Sequence, residues 1–126
     1  TVNDTYGHDA GDFVLKIVSN KLNSSIRNVD TAARLGGDEF IVILDCIKHI
    51  EDAPLIANKL IEAISQPINY NSKVIKIGAS IGIAVYPDHS SKSEDIMKFA
   101  DLSMYKAKET GTNNFKIFSH TNVSTM

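Results

Sequence analysis

The 126-residue chain contains one cysteine, Cys46, so no disulfide can close within it. No Cys/His cluster has the spacing of a zinc site, and a reducing cytosol is the default compartment. No apolar run approaches the roughly 20 residues that a membrane helix needs. The first residues show no signal-peptide pattern. An excess of one charge sign is also missing. Lys and Arg number 13 against 15 Asp and Glu, a net charge of -2. That leaves no basic field to attract a nucleic-acid polymer. Internal repeats, low-complexity tracts and Pro/Gly/Ser-rich linkers are absent as well. What is there is an ordinary folded composition, 43% hydrophobic and 22% charged, in a length that suits one domain with its own core.

Apolar periodicity divides the chain into alternating elements. Phe13, Val14, Ile17, Val18, Leu22 and Ile26 recur at helical spacing and predict a helix over residues 12–27, with Asp9 or Asp12 as its cap. Strands are expected at 31–35 and 40–45, on either side of Gly36-Gly37. The unbroken apolar run from Phe40 to Leu44 fits a strand covered on both faces. A second helix is expected over 54–66, capped by Asp52, with Pro54 in its first turn. Leu55, Ile56, Leu60, Ile61 and Ile64 form its stripe, and Pro67 marks its end.

Residues 73–86 read as one long or bent strand pair. From Ile77 onward one face carries Ile77, Ala79, Ile81, Ile83 and Val85, and the other Gly78, Ser80, Gly82 and Ala84. A face of small residues lets a helix or another backbone come close. Pro87-Asp88 is a turn signal. Ser91-Lys92-Ser93-Glu94 fits a capping box. The helix it would start runs to about Lys108, with Ile96, Met97, Ala100, Met104 and Ala107 inward and Gly111 as its stop. A last strand is expected at 115–118, then a polar tail over 119–126. The order α-β-β-α-β-α-β predicts a sheet covered by helices.

The stretch with chemical content is Arg34-Leu35-Gly36-Gly37-Asp38-Glu39-Phe40. Two glycines between strands supply a tight hairpin, and that alone needs no function. A hairpin does not need two acids directly after the glycines. A glycine turn lets a phosphate approach the backbone, and adjacent carboxylates can hold Mg²⁺ bridged to phosphate oxygens. The combination suits phosphoryl or nucleotidyl transfer.

These residues resemble the signature of the GGDEF domains, the bacterial diguanylate cyclases. The likeness extends to residues 3–12, Asn-Asp-Thr-Tyr-Gly-His-Asp-Ala-Gly-Asp. It continues through Ser80-Ile81-Gly82-Ile83-Ala84, Ala100-Asp101, and Met104-Tyr105-Lys106-Ala107-Lys108. It covers almost the whole chain at intact spacing. The resemblance implies an α/β (α+β) fold, a ferredoxin-like or palm-type, nucleotide-cyclase-like sheet, mostly antiparallel and covered by helices. It assigns residues 1–118 to the domain and 119–126 to a tail or linker.

It further implies an enzyme that joins two GTP into cyclic di-GMP and releases two pyrophosphates, with one GTP per domain and two domains facing each other as a homodimer. By similarity Asp38 and Glu39 are catalytic. Asp38 binds Mg²⁺ or Mn²⁺ and helps deprotonate the attacking hydroxyl. Asn3 and Asp12 read the guanine edge, an amide donating and accepting and a carboxylate accepting. His8 shares their loop, Gly36 and Gly37 admit the phosphates, and Lys108 meets them. Each has a plainer reading: Asp12 as a helix cap, His8 as a turn hydrogen bond, Lys108 as a cation favouring a helix C-terminus. Arg27-Asn28-Val29-Asp30 stands where the family has an Arg-x-x-Asp product-inhibition site for cyclic di-GMP. A surface ion pair is its plainer reading.

Two departures bear on activity. Thr112 stands where the family usually has an arginine that grips phosphate, so weaker GTP binding is expected. The family also has a strand before Asn3 that carries an acidic metal ligand and a Phe-Lys pair. The chain begins at Thr1, so that strand falls outside it and little turnover is expected of these 126 residues alone. Loss of a central strand should expose its neighbours' edges, unless a longer native chain, swapping or dimer pairing fills the gap. Fused sensory domains are implied, and the C-terminal exit resembles the passage into a cyclic di-GMP-degrading EAL domain. The implied location is the bacterial cytoplasm, with any membrane anchor elsewhere in the parent protein. Two functions therefore compete: a diguanylate cyclase, and a catalytically weak module that binds GTP or cyclic di-GMP to regulate a neighbour.

Overall fold

The structure, a computed structural model, describes residues 8–36, 38–75, 78–111 and 114–119. In chain order the elements are α1 (His8–Ser25), β1 (Thr31–Gly36), β2 (Glu39–Asp45), a 3₁₀ turn (Ile50–Asp52) and α2 (Ala53–Ile64). There follow β3 (Ile68–Tyr70), β4 (Lys73–Ile75), β5 (Ser80–Tyr86), α3 (Ser93–Glu109) and β6 (Asn114–Ile117). Four strands form one sheet in the order β1-β2-β5-β6, and β3 and β4 form a separate hairpin.

The mixed α/β class with a helix-covered sheet is observed, but the sheet is not mostly antiparallel among the described residues. Only β1 and β2 run antiparallel in it, whereas β2–β5 and β5–β6 are parallel. The reason lies in the connections. A short turn joins β1 to β2, while α2 and α3 each return the chain to the end of the sheet where the preceding strand began. The unbroken run Phe40–Leu44 carried this signal, because parallel strands are buried on both faces. The expected exposed inner edges are also not seen: β2 lies paired between β1 and β5, and β5 between β2 and β6.

The pleat sorts the apolar run into two layers. Phe40, Val42 and Leu44 of β2 join Ile81, Ile83 and Val85 of β5 in one core with Val14, Val18 and Leu22 of α1 and Ala57, Leu60 and Ile64 of α2. On the other face Ile41 and Ala84 pack with Ile96, Ala100 and Met104 of α3 and with Phe118. Phe99 stacks on Phe118 with ring centroids 3.9 Å apart. Gly82 makes the second layer possible. A Cβ built on it would lie 1.9 Å from the Ala100 carbonyl oxygen and 2.3 Å from the Met104 nitrogen. The small-residue face read from the sequence is thus the seat of α3.

Several local expectations are corrected. Residues 73–86, expected as one long or bent strand pair, divide into β4 and β5, which lie in different sheets. β4 turns back on the unexpected strand β3 through Asn71 and Ser72, both at positive φ (48° and 66°). The two-residue Asn-Ser link with left-handed backbone is a tight hairpin turn at positions to which the sequence pattern assigned no element. Leu55 is 63% exposed and Met97 45%, and Ala53 and Ser103 are buried instead. The α3 N-cap is Lys92 without a side-chain cap bond, so the capping box does not form. Ser90 serves there, its Oγ accepting from the Lys92 N–H and donating to Asp95. Asp52 holds the N-cap position of α2 without a side-chain bond, because the preceding 3₁₀ turn already gives it helical backbone. Asp9 and Asp12 lie within α1, which begins at His8, and not at its N-cap position.

Gly82→Ala is expected to destabilise the protein by about 3 kcal/mol or more, since helix backbone blocks the added methyl and cannot rotate away as a side chain would. Urea denaturation read by circular dichroism measures it.

Candidate active site

The signature turn lies where the three parallel strands begin. Register places Glu39 beside Ser80 and Ser80 beside Asn114, so the first residues of β2, β5 and β6 form one rung. The buried Ser80 donates its N–H to the Asp38 carbonyl at 2.9 Å, and the Asn114 N–H bonds the Ala79 carbonyl at 2.9 Å. On β1, Gly36 pairs with Glu39, but Arg34 pairs with Phe40, so Leu35 is an extra residue in a bulge. The bulge ends the regular ladder and turns the chain into the acidic pair.

Lys108 arrives from the last turn of α3. That turn is closed by Gly111 at φ 131°, by Thr110 Oγ1 donating to the Ala107 carbonyl at 2.9 Å, and by the Asn114 amide donating to the same carbonyl at 3.3 Å. Asn114 also bonds Thr110 Oγ1. The helix end is therefore tied to the rung that carries Glu39. Lys108 Nζ lies 2.5 Å from Glu39 Oε2. The hydrogen bond to Glu39 comes first, with the charges of Glu39 and Asp38 adding, in holding the Lys108 ammonium above its ordinary range. Thr110 and Asn114 were not singled out from the sequence. Asn114 acts through strand register, which no local pattern displays.

The structure brings together Asp38, Glu39, Lys108 and Gly36 from the residues predicted to serve the site. Asp12 lies exposed one turn into α1, and His8 opens that helix. Asn3, Gly37 and Thr112 lie outside the described residues. Among the described residues no group of three or more His, Cys, Asp or Glu could hold a metal ion. Two adjacent carboxylates fit a hard divalent cation that keeps waters and shares its ligands with substrate phosphates, rather than a cage built from protein alone.

Arg27 and Asp30 occupy the opposite rim. The length of β2, seven residues, puts roughly 20 Å between its two ends. The Arg27 guanidinium grips Asp30 as a fork, Nε at 3.0 Å and Nη2 at 2.7 Å, while Nη2 also donates to the Asp45 carbonyl at 2.6 Å. Asp30 accepts further bonds from the N–H groups of Arg27 (3.0 Å) and Asp45 (2.9 Å), and its side chain is only 3% exposed. Burial by itself pushes the Asp30 carboxyl up. The Arg27 guanidinium and the two N–H donors outweigh it and hold the group below the ordinary carboxylate range. The pair staples the α1–β1 loop to the end of β2.

The family description "Diguanylate cyclase, GGDEF domain" matches residues 1–114. MucR of Pseudomonas aeruginosa, named a bifunctional diguanylate cyclase/cyclic di-GMP phosphodiesterase, is 42% identical over 93% of this chain. NbdA of the same organism, named a cyclic di-GMP phosphodiesterase, is 36% identical over 94%. The chain spans only 17% and 15% of those two proteins. Among solved structures, the GGDEF domain of TpbB (YfiN) from P. aeruginosa superimposes with a TM-score of 0.85 at 33% identity, covering 98% of this chain and 73% of that one. No helix among the described residues is long and apolar enough to cross a membrane.

The Asp30 carboxylate predicts a signed acid response. Its folded-state pKa lies below the ordinary 3.8, so its contribution is complete above that value and is lost as pH falls through the lower folded value. Asp30→Asn is expected to cost about 2 kcal/mol at neutral pH. The gap from the parent in urea midpoints should shrink only below about pH 4.

Proposed function

The chain belongs to the GGDEF family, and on that premise we propose that it is the cyclase domain of a diguanylate cyclase. The observation that carries the proposal is the convergence of Asp38, Glu39 and Lys108 on one rim. Each copy binds one GTP, and two copies face each other. The 3′-hydroxyl oxygen of each GTP forms a bond to the α-phosphorus of the other. The bond from that phosphorus to the bridging oxygen breaks, and pyrophosphate leaves with the electron pair. Two such transfers close cyclic di-GMP. This chemistry asks for positioning and charge neutralisation more than for covalent catalysis.

Asp38 and Glu39 hold the divalent cation, Mg²⁺ or Mn²⁺. When bound, that ion neutralises phosphate charge and lowers the pKa of an adjacent hydroxyl. Asp38 assists removal of the proton from the attacking hydroxyl, and Lys108 meets the phosphates as a compact point charge. Asn3 and Asp12 read the guanine edge, His8 supports that stretch, and Gly36 and Gly37 let phosphate reach the backbone. Arg27 and Asp30 bind the product in a separate inhibitory site. Its guanidinium fork, already fixed against β2, suits guanine and phosphate. The GTP pool places the reaction in the bacterial cytoplasm, with sensory, EAL-type or anchoring parts carried elsewhere in the parent.

A second reading is a catalytically weak module that binds GTP or cyclic di-GMP and regulates a neighbouring EAL-type domain. Thr112 in place of an arginine favours it, as do the phosphodiesterase names of MucR and NbdA.

Incubated with GTP and Mg²⁺, the full-length parent is expected to form cyclic di-GMP, and Asp38→Ala to lower the yield by about a hundredfold or more. GTP binding without product in the parent would favour the regulatory module. Separately, Arg27→Ala is expected to abolish cyclic di-GMP binding in calorimetry, and tight binding by that variant would remove the inhibitory-site assignment.

A further inference from the structure

Lys108 and Glu39 are placed for opposite tasks, yet they hold each other. The ammonium touches Oε2, the other carboxylate oxygen Oε1 lies over Gly36, and the charge of Asp38 also bears on the ammonium. Lys108 therefore occupies the carboxylate as a cation of the protein's own. The two partners differ in access: the Lys108 side chain is 52% exposed and that of Glu39 20%. The ammonium is therefore the more accessible partner for an incoming anion.

We propose that Lys108 is a built-in counter-cation that makes divalent-cation binding at Glu39 depend on a polyphosphate being present. The proposal rests on the reading of this rim as a nucleotide and metal site. Without nucleotide, a divalent cation at Glu39 must compete with Lys108 for the carboxylate. The ammonium would then stand beside added positive charge with no anion of its own, which is unfavourable on both counts. With a triphosphate present, Lys108 swings on its flexible four-carbon stem from carboxylate to phosphate, and Glu39 is freed without an orphaned charge. Backbone need not move, because Asn114 and Thr110 hold the helix end in place. Lys108 is in this sense a positioning residue. Its exchange of partners couples the two ligands, and such coupling is reciprocal: each ligand raises the other's affinity by the same factor.

The test titrates Mn²⁺, with free ion followed by electron paramagnetic resonance, into the full chain, Lys108→Gln and Lys108→Arg. Each is measured with and without a GTP analogue whose α–β bridge is a methylene group, and Mn²⁺ held by the analogue alone, taken from a protein-free titration, is subtracted. Lys108→Gln is expected to bind Mn²⁺ alone roughly tenfold more tightly than the parent, and to lose a similar factor from the enhancement given by the analogue. Lys108→Arg keeps a cation at the site and is expected to match the parent without nucleotide. If Lys108→Arg instead binds Mn²⁺ alone as tightly as Lys108→Gln, the counter-cation role is overturned. Unchanged Mn²⁺ affinity in Lys108→Gln, with analogue-dependent binding in the parent, overturns the coupling and leaves the site reading standing. Absence of Mn²⁺ binding in all three proteins with the analogue present overturns the site reading and the coupling with it.

Discussion

The close seat of α3 on Gly82 is the constraint from which the site follows. Helix backbone lies where a Cβ would be, so α3 meets the sheet at a distance that no other residue at position 82 permits. From that seat the helix ends above the first rung of the parallel strands. Thr110 and Asn114 close its last turn onto the rung, and Lys108 reaches Glu39 from there. A helix lifted off β5 by one methyl group would carry its terminal lysine away with it. The electrostatics of the site thus depend on a packing contact between residues that bear no charge.

The two rims of the sheet handle charge in different ways. At the carboxyl end of β2, Asp30 is nearly buried and fully satisfied by Arg27 and two backbone donors. Its partners are local, three residues away or at the adjoining strand end, and the arrangement is rigid. At the amino end, Glu39 finds its partner 69 residues away, through one flexible side chain at a solvent-facing edge. A fixed fork suits selective recognition of a shaped ligand, and a swinging ammonium suits exchange of one anion for another. The same strand joins a stiff rim to an adaptable one.

Much of this was legible before any coordinates. The stripe Val14, Val18, Leu22 predicted a core-facing helix, and it is one. The alternation of small and branched residues from Ala79 to Val85 predicted a close helix, and α3 is that helix. The errors have physical sources. Leu55 was placed inward because a helical stripe defined by apolar residues ignores that alanines pack closest, and Ala53 and Ala57 take the buried positions. The β3–β4 turn was missed because Asn71 and Ser72 lack a glycine, although asparagine tolerates the left-handed backbone found there. The capping box failed because α3 begins at Ser93, too late for Ser91 to serve as its cap.

The sequence by itself determined the family, the acidic pair after two glycines, the Arg-x-x-Asp spacing and the Val14, Val18, Leu22 face of α1. Those properties are encoded in residue type and short-range spacing, which a linear reading preserves. Only the tertiary structure decided that the long strands pair in parallel, that Asn114 shares a rung with Glu39, and that Lys108 closes on that carboxylate. Strand order and register arise from how crossovers pack elements distant in the chain, and an ion pair between such elements exists only after that packing is complete.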